Sequence, residues 1–279
     1  MSQTPPLLEA RGLRVLRPGD EGAVTVLDAV DLSLPAGTLA EVTGPSGAGK
    51  TTLLLALGRL LPGAEGALLL AGRPADEYEP QTWRTLVALL PQRPALVPGT
   101  IAENLRLPWS LKAREGDQPP ADDALREALD GVALGDVALD RDVSRLSVGQ
   151  ASRIALLRVT LTRPRVLLLD EPDASLDDAS AAEVARITAA FVGSGGSIVR
   201  VSHVRTDAAA SVRYRLADGQ LTLVGPSTSG AAESSRLAAT TGLAVTPEAA
   251  DAVTRASSSK VPGAAIIDAA TDLPEVPDA

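Results

Sequence analysis

One stretch constrains the fold of this chain more than any other: Gly44-Pro45-Ser46-Gly47-Ala48-Gly49-Lys50-Thr51, which fits G-x-x-x-x-G-K-[ST]. It follows the short apolar run Leu39 to Thr43 and precedes a helical pattern from Thr52 to Leu61. The backbone must therefore pass from a buried strand through a glycine-rich turn into a helix. A helix N-terminus carries unpaired N–H groups and the positive end of the helix dipole. Together with the N–H groups of the turn, these surround a polyphosphate. Lys50 is spaced to reach the β and γ phosphates, and the Thr51 hydroxyl to ligate Mg²⁺. The expected nucleotide-binding set is Gly44, Pro45, Ser46, Gly47, Ala48, Gly49, Lys50, Thr51 and Thr52.

Other apolar runs, Val87 to Leu90, Val166 to Asp170 and Ile198 to Ser202, read as buried strands of a mainly parallel sheet with helical patterns between them. This is α/β architecture. From Thr100 to Thr162 no strand pattern is evident. Helical patterns over Ala121 to Asp130 and Gly149 to Leu161 suggest an inserted α-helical subdomain over about residues 95–162. After Val224 the composition shifts to Ala, Ser, Thr, Gly and Pro, with three basic and seven acidic residues. Residues 226–279 bury too little to offset their ordering entropy and are expected to be disordered, with a short helix near Pro247 to Arg255.

Composition narrows the function. Lys and Arg number 26 against 35 Asp and Glu, a net charge of -9. A nucleic-acid partner, whose backbone calls for excess cations, is not expected. Two Trp, two Tyr and one Phe leave the core to Leu, Val, Ile and Ala, and argue against stacking on single-stranded bases. Without cysteine there is no disulfide or thiolate chemistry, and an intracellular setting is favoured. Met1 to Leu8 has no basic segment followed by an apolar run, so no signal peptide is expected. No apolar run approaches the roughly 20 residues that cross a bilayer.

The run Val166-Leu167-Leu168-Leu169-Asp170-Glu171-Pro172 is a strand ending in two carboxylates. Asp170 is placed to bind Mg²⁺ and Glu171 to polarise an attacking water. Upstream, Leu146-Ser147-Val148-Gly149-Gln150 reads locally as an S-x-x-Q capping box. It also resembles the LSGGQ signature of ATP-binding cassette (ABC) proteins, and it lies shortly before the carboxylate strand, as in that family. Given the resemblance, Gln92 is similar to the Q-loop glutamine, a contact to Mg²⁺ and the water. Ser175-Leu176-Asp177 is similar to the D-loop, and His203 to the switch histidine at the γ phosphate. The resemblance spans about residues 7–224 and implies catalytic Glu171, His203 and Gln92. It also implies a metal site of Thr51, Gln92 and Asp170, and nucleotide contacts from Ser147, Gly149 and Gln150.

The family implies a P-loop NTPase (RecA-like) core with an N-terminal antiparallel β subdomain, an ABC ATP-binding domain over residues 7–225, ATP and Mg²⁺ as ligands, and a head-to-tail homodimer around two ATP. It further implies a separate membrane permease, which places the chain in the cytoplasm on the inner face of the membrane. Leu90 to Pro94 with Gly99 to Leu105 and Pro108-Trp109 is similar to the bacterial iron-export subfamily, although Trp109 also fits a core position. The alternative is a non-transport ABC ATPase. Its DNA and chromosome members carry long coiled-coil or zinc insertions, and its ribosome members two cassettes; neither fits here. Three departures stand out. Val148 replaces a signature glycine, Val204 follows the switch histidine where relatives have an acid, and no aromatic lies near Val15 or Leu16 to stack on adenine. Weaker discrimination of ATP from GTP is therefore expected, a strong preference instead pointing to another side chain such as Arg17.

Overall fold

The computed structural model describes residues 5–19, 22–202 and 210–224. Two sheets organise them. The first is antiparallel: β1 (Leu8–Gly19) pairs with β2 (Gly22–Leu34) and with β4 (Glu65–Leu70), and β4 pairs with β5 (Arg73–Pro74), giving the order β2-β1-β4-β5. The second has six strands in the order β10-β9-β3-β8-β7-β6: β3 (Leu39–Thr43), β6 (Val87–Leu90), β7 (Val166–Asp170), β8 (Ser197–Val201), β9 (Val212–Ala217) and β10 (Gln220–Leu223). All its neighbours are parallel except β9 and β10.

The near-continuous apolar character of β7 and β8 follows from burial on both faces. Val166 and Leu168 join a first core with Leu53, Leu54 and Leu57 of α1 (Lys50–Leu57) and with Leu8, Leu27 and Leu34 of the antiparallel sheet. Their neighbours Leu167 and Leu169 face a second core. That core is completed by α3 (Ile101–Arg106), α4 (Asp122–Asp130), α5 (Val148–Thr160) and α6 (Asp178–Gly193). A further helix, α2 (Pro80–Leu86), delivers Trp83, which is fully buried and donates its indole N–H to Leu57 O at 2.9 Å. Tyr214 of β9 joins the two sheets: its hydroxyl donates to Ser33 O at 2.9 Å and accepts from Ser33 N at 3.3 Å.

The four strands expected from apolar runs are present within one residue. α1 stops at Leu57 rather than Leu61, because Gly58 closes the helix and Arg59 takes a left-handed φ of 52°. The segment from Thr100 to Thr162 is helical as expected, and Trp109 is half-buried beneath the Arg114 guanidinium, 5.4 Å from the ring centre. The expected tail, residues 226–279, and its short helix lie outside the described residues, as do His203 and Val204.

Candidate nucleotide site

Strand β3 ends at Thr43 and the chain turns at once through Gly44 to Gly49, which is the left-handed N-cap of α1 with φ 97°. Gly44 runs so close to β9 that a Cβ there would overlap the Leu216 carbonyl. Pro45, Ser46 and Gly47 form the exposed crest of the loop, with Ala48 and Gly49 half-buried behind it. Lys50 is buried beneath and donates through Nζ to the carbonyls of Gly44 at 2.9 Å and Pro45 at 2.8 Å. Burial lowers its pKa from the ordinary lysine value, while the negative charges of Glu171 and Asp170 act in the opposite direction. Thr51 faces out of the helix and Thr52 into the core.

The parallel sheet carries the other groups to the same edge. Asp170, the last residue of β7, is buried and accepts the Thr51 hydroxyl at 2.8 Å through Oδ2. The next residue, Glu171, leaves the strand in a left-handed conformation, φ 48°, with its N–H donated to Val201 O at 3.2 Å. Such a backbone is uncommon for a residue with a side chain. It presents the Glu171 carboxylate to Gln92, which follows β6 and donates through Nε2 to Glu171 Oε2 at 2.9 Å. Thus Lys50, Thr51, Asp170, Glu171 and Gln92, far apart in sequence, converge. Thr51, Asp170 and Gln92 offer hydroxyl, carboxylate and amide oxygens, the hard donor set that suits Mg²⁺ alongside phosphates.

The Ser147 group lies elsewhere. Ser147 caps α5: its Oγ accepts from Gln150 N at 3.2 Å, while Gln150 Oε1 accepts from Ser147 N at 3.1 Å. Gly149 is buried face to face with Ser180 of α6, whose N–H is held at 2.8 Å by Asp177, the N-cap of that helix. Val148 stands 64% exposed between them. Among the described residues, no hydrogen bond joins Ser147, Gly149 or Gln150 to the Gly44–Thr51 loop.

Sequence reading missed one group near this site. Arg200 of β8 forms a buried ion pair with Asp173, Nη2 to Oδ2 2.7 Å, just beyond Glu171. Only its placement as a charge inside the apolar run Ile198 to Val201 marked it out.

A parallel sheet whose inner strand runs into a glycine loop and helix, with a carboxylate from a second strand bonded to the Thr of that loop, defines a P-loop nucleoside triphosphatase. A family model described as ABC transporter matches residues 27–174. The probable iron export ATP-binding protein FetA of Escherichia coli (strain K12) is 34% identical over 180 residues, 64% of this chain and 76% of that protein. The cytochrome c biogenesis ATP-binding export protein CcmA 2 of Cupriavidus metallidurans is 39% identical over 207 residues, 74% and 93% of the two chains. The hemin import ATP-binding protein HmuV of Streptomyces coelicolor is 37% identical over 202 residues, 71% and 69%. In fold, the chain is similar to a dimeric post-hydrolysis state of the ATP-binding cassette MJ0796 bound to ADP and Pi, with a TM-score of 0.67 at 22% identity over 77% of this chain and 96% of that one. This chain belongs to the ABC transporter family and is an ATPase of that family.

Proposed function

We propose that the chain is the nucleotide-binding subunit of a transporter, working as a head-to-tail homodimer that encloses two ATP and drives a separate membrane permease. The observation that carries the catalytic part is the convergence of Lys50, Thr51, Asp170, Gln92 and Glu171 at one edge of the sheet. Lys50 supplies a fixed positive charge under the loop for the β and γ phosphates. Thr51, Asp170 and Gln92 would hold Mg²⁺, which neutralises phosphate charge when bound. Glu171 acts as the base or orienting group for the attacking water, and its bond to Gln92 fixes the direction of the carboxylate. Catalysis is then mainly positioning and charge stabilisation.

Head-to-tail pairing is supported by the separation of the Ser147–Gln150 cap from the phosphate loop. In a partner copy, Ser147, Gly149 and Gln150 complete the nucleotide site from outside, and the role of switch histidine is assigned to His203 by the family resemblance alone. The solved cassette of the same fold is dimeric. No helix among the described residues is long and apolar enough to cross a membrane. In this reading a separate permease supplies the path, a reading supported by relatives named as export ATP-binding proteins, and the chain sits against the inner face of the membrane. We further propose metal export, iron foremost, on the strength of the FetA relative.

Glu171→Gln tests the site. Hydrolysis is expected to fall by about 10²-fold or more, the range for removing a general base, while ATP still binds and the dimer persists longer. Retained turnover refutes the assignment. Co-purification with an integral membrane protein tests the transport role. Iron retained by cells lacking the chain, and released again by wild type but not by Glu171→Gln, tests the cargo.

A further inference from the structure

Three charged side chains, Glu41, Arg200 and Arg213, lie on adjacent strands of the sheet, and a fourth, Asp173, on the loop after β7. Glu41 of β3 is fully buried and directly in register with Arg200 of β8 on one side and Arg213 of β9 on the other. Arg213 Nε donates to Glu41 Oε2 at 3.3 Å. Arg200 Nη2 donates to Asp173 Oδ2 at 2.7 Å, the two side chains being 4% and 14% exposed. The line thus runs from β9 through the strand that enters the phosphate loop to the segment that leaves Glu171. Buried ion pairs are a poor source of stability, since hydrophobic replacements of similar volume are often neutral or better. A charged line at this depth therefore calls for a role in geometry.

The geometry identifies what is held. β8 grips the loop after β7 at two successive residues: Val201 O takes the Glu171 N–H, and Arg200 takes the Asp173 carboxylate. From Glu171 onward the chain makes two overlapping tight turns, Ala174 N to Glu171 O at 3.2 Å and Leu176 N to Asp173 O at 3.2 Å, before Asp177 caps α6. Glu171 must keep an unfavourable φ of 48° to face Gln92. While its N–H is bonded to β8 through Val201, its carbonyl is bonded within the turn, to Ala174 N, so the ion pair at Asp173 is what ties that turn back to β8. We propose that Arg200 is a positioning residue for hydrolysis: by anchoring Asp173 to β8, beside the neighbouring Glu41–Arg213 ion pair, it keeps Glu171 in its left-handed conformation and pointed at the reacting water. The proposal rests on Glu171 being the base.

The test compares Arg200→Met, which keeps length and loses charge, with Asp173→Asn, the double variant, Glu171→Gln, and Val199→Ala, a core deletion on the same strand away from the charged line. In full-length protein, Arg200→Met and Asp173→Asn are expected to lower kcat about tenfold while ATP affinity stays within about twofold. The double variant is expected to be no worse than the worse single one, because the two act as one unit. Val199→Ala is expected to lower the melting temperature without lowering kcat. If Arg200→Met fails to fold, Asp173→Asn carries the comparison. Wild-type kcat in both charge variants, with Glu171→Gln inactive, overturns the proposal alone. So does a loss of kcat that merely follows melting temperature across all variants, Val199→Ala included. Turnover retained by Glu171→Gln overturns the base assignment and the proposal with it.

Discussion

Gly44→Ala asks whether the phosphate loop is held in place by its contact with β9. A Cβ at Gly44 would overlap the Leu216 carbonyl oxygen and stand 3.1 Å from its carbon. Leu216 cannot retreat, because β9 is paired on both sides, with β3 and with β10, and its side chain is fully buried. The loop must move instead, and with it the carbonyls of Gly44 and Pro45 that hold Lys50. Over-packing of this kind costs about 1–3 kcal/mol in stability. A misplaced Lys50 forfeits a charge-assisted hydrogen bond to phosphate, about 1.5–3 kcal/mol. At about 1.4 kcal/mol per decade, that weakens ATP binding roughly 10- to 100-fold. Gly47→Ala is the comparison: φ there is 79° and nothing lies within 4 Å of a Cβ, so only left-handed strain of about 1–2 kcal/mol applies. Calorimetric titration with ATP and urea unfolding of both variants measure the two quantities. Gly44→Ala binding ATP within about twofold of wild type, or no more weakly than Gly47→Ala, would refute the reasoning.

Other outcomes follow from the same structure. Trp83→Ala removes the largest fully buried side chain and its bond to Leu57 O, and is expected to cost about 3–5 kcal/mol in urea unfolding without changing which nucleotide binds. Hydrogen bonds hold the carboxyls of Glu103, Asp142 and Asp177 below their ordinary values of 4.5, 3.8 and 3.8, the leading donors being Thr100, Ser144 and Ser180. Their contribution to stability is full above those values and is lost as pH falls through the lower folded ones, so the unfolding midpoint should drop on acidification below pH 3.8. Asp177→Asn keeps the cap but removes one titrating group, and a pH curve parallel to wild type would contradict this. With no aromatic in β1 and Leu16 standing half exposed there, ATP and GTP should differ less than about tenfold in kcat/KM. A larger preference that Arg17→Ala abolishes would assign the base contact to Arg17.

The parts legible in the sequence were those whose burial is symmetric. β3, β7 and β8 lie inside the sheet and read as mainly apolar runs, and β6, at its edge, reads as a short one too. The antiparallel sheet did not announce itself through alternation. β1 shifts register between Ala10 and Leu13, between Leu13 and Val15, and again between Val15 and Leu16, so a period of two cannot persist along it. It was expected only through family resemblance. α3, six residues long, is too short to show a helical period, yet its Thr100–Glu103 capping box is as complete as the one at Ser147. At the site, Asp170 and Glu171 were visible as acids ending a strand. Their meeting with Thr51 and Gln92 depends on strand order, which no local pattern encodes. Arg200 has no motif around it, and its partner Asp173 became apparent only once β8 was seen beside β7.

The scarcity of aromatic residues leaves the molecule with two natural optical probes in contrasting settings. Trp83 sits dry against the end of α1, with Tyr78 edge-on at 5.7 Å, whereas Trp109 is half in water beneath a guanidinium among the helices. Their emission should therefore separate in wavelength, blue for the first and red for the second. A change in the blue component reports the helix that begins at the phosphate loop, and a change in the red one reports the helical side. No label has to be introduced to follow the two halves independently while nucleotide is added.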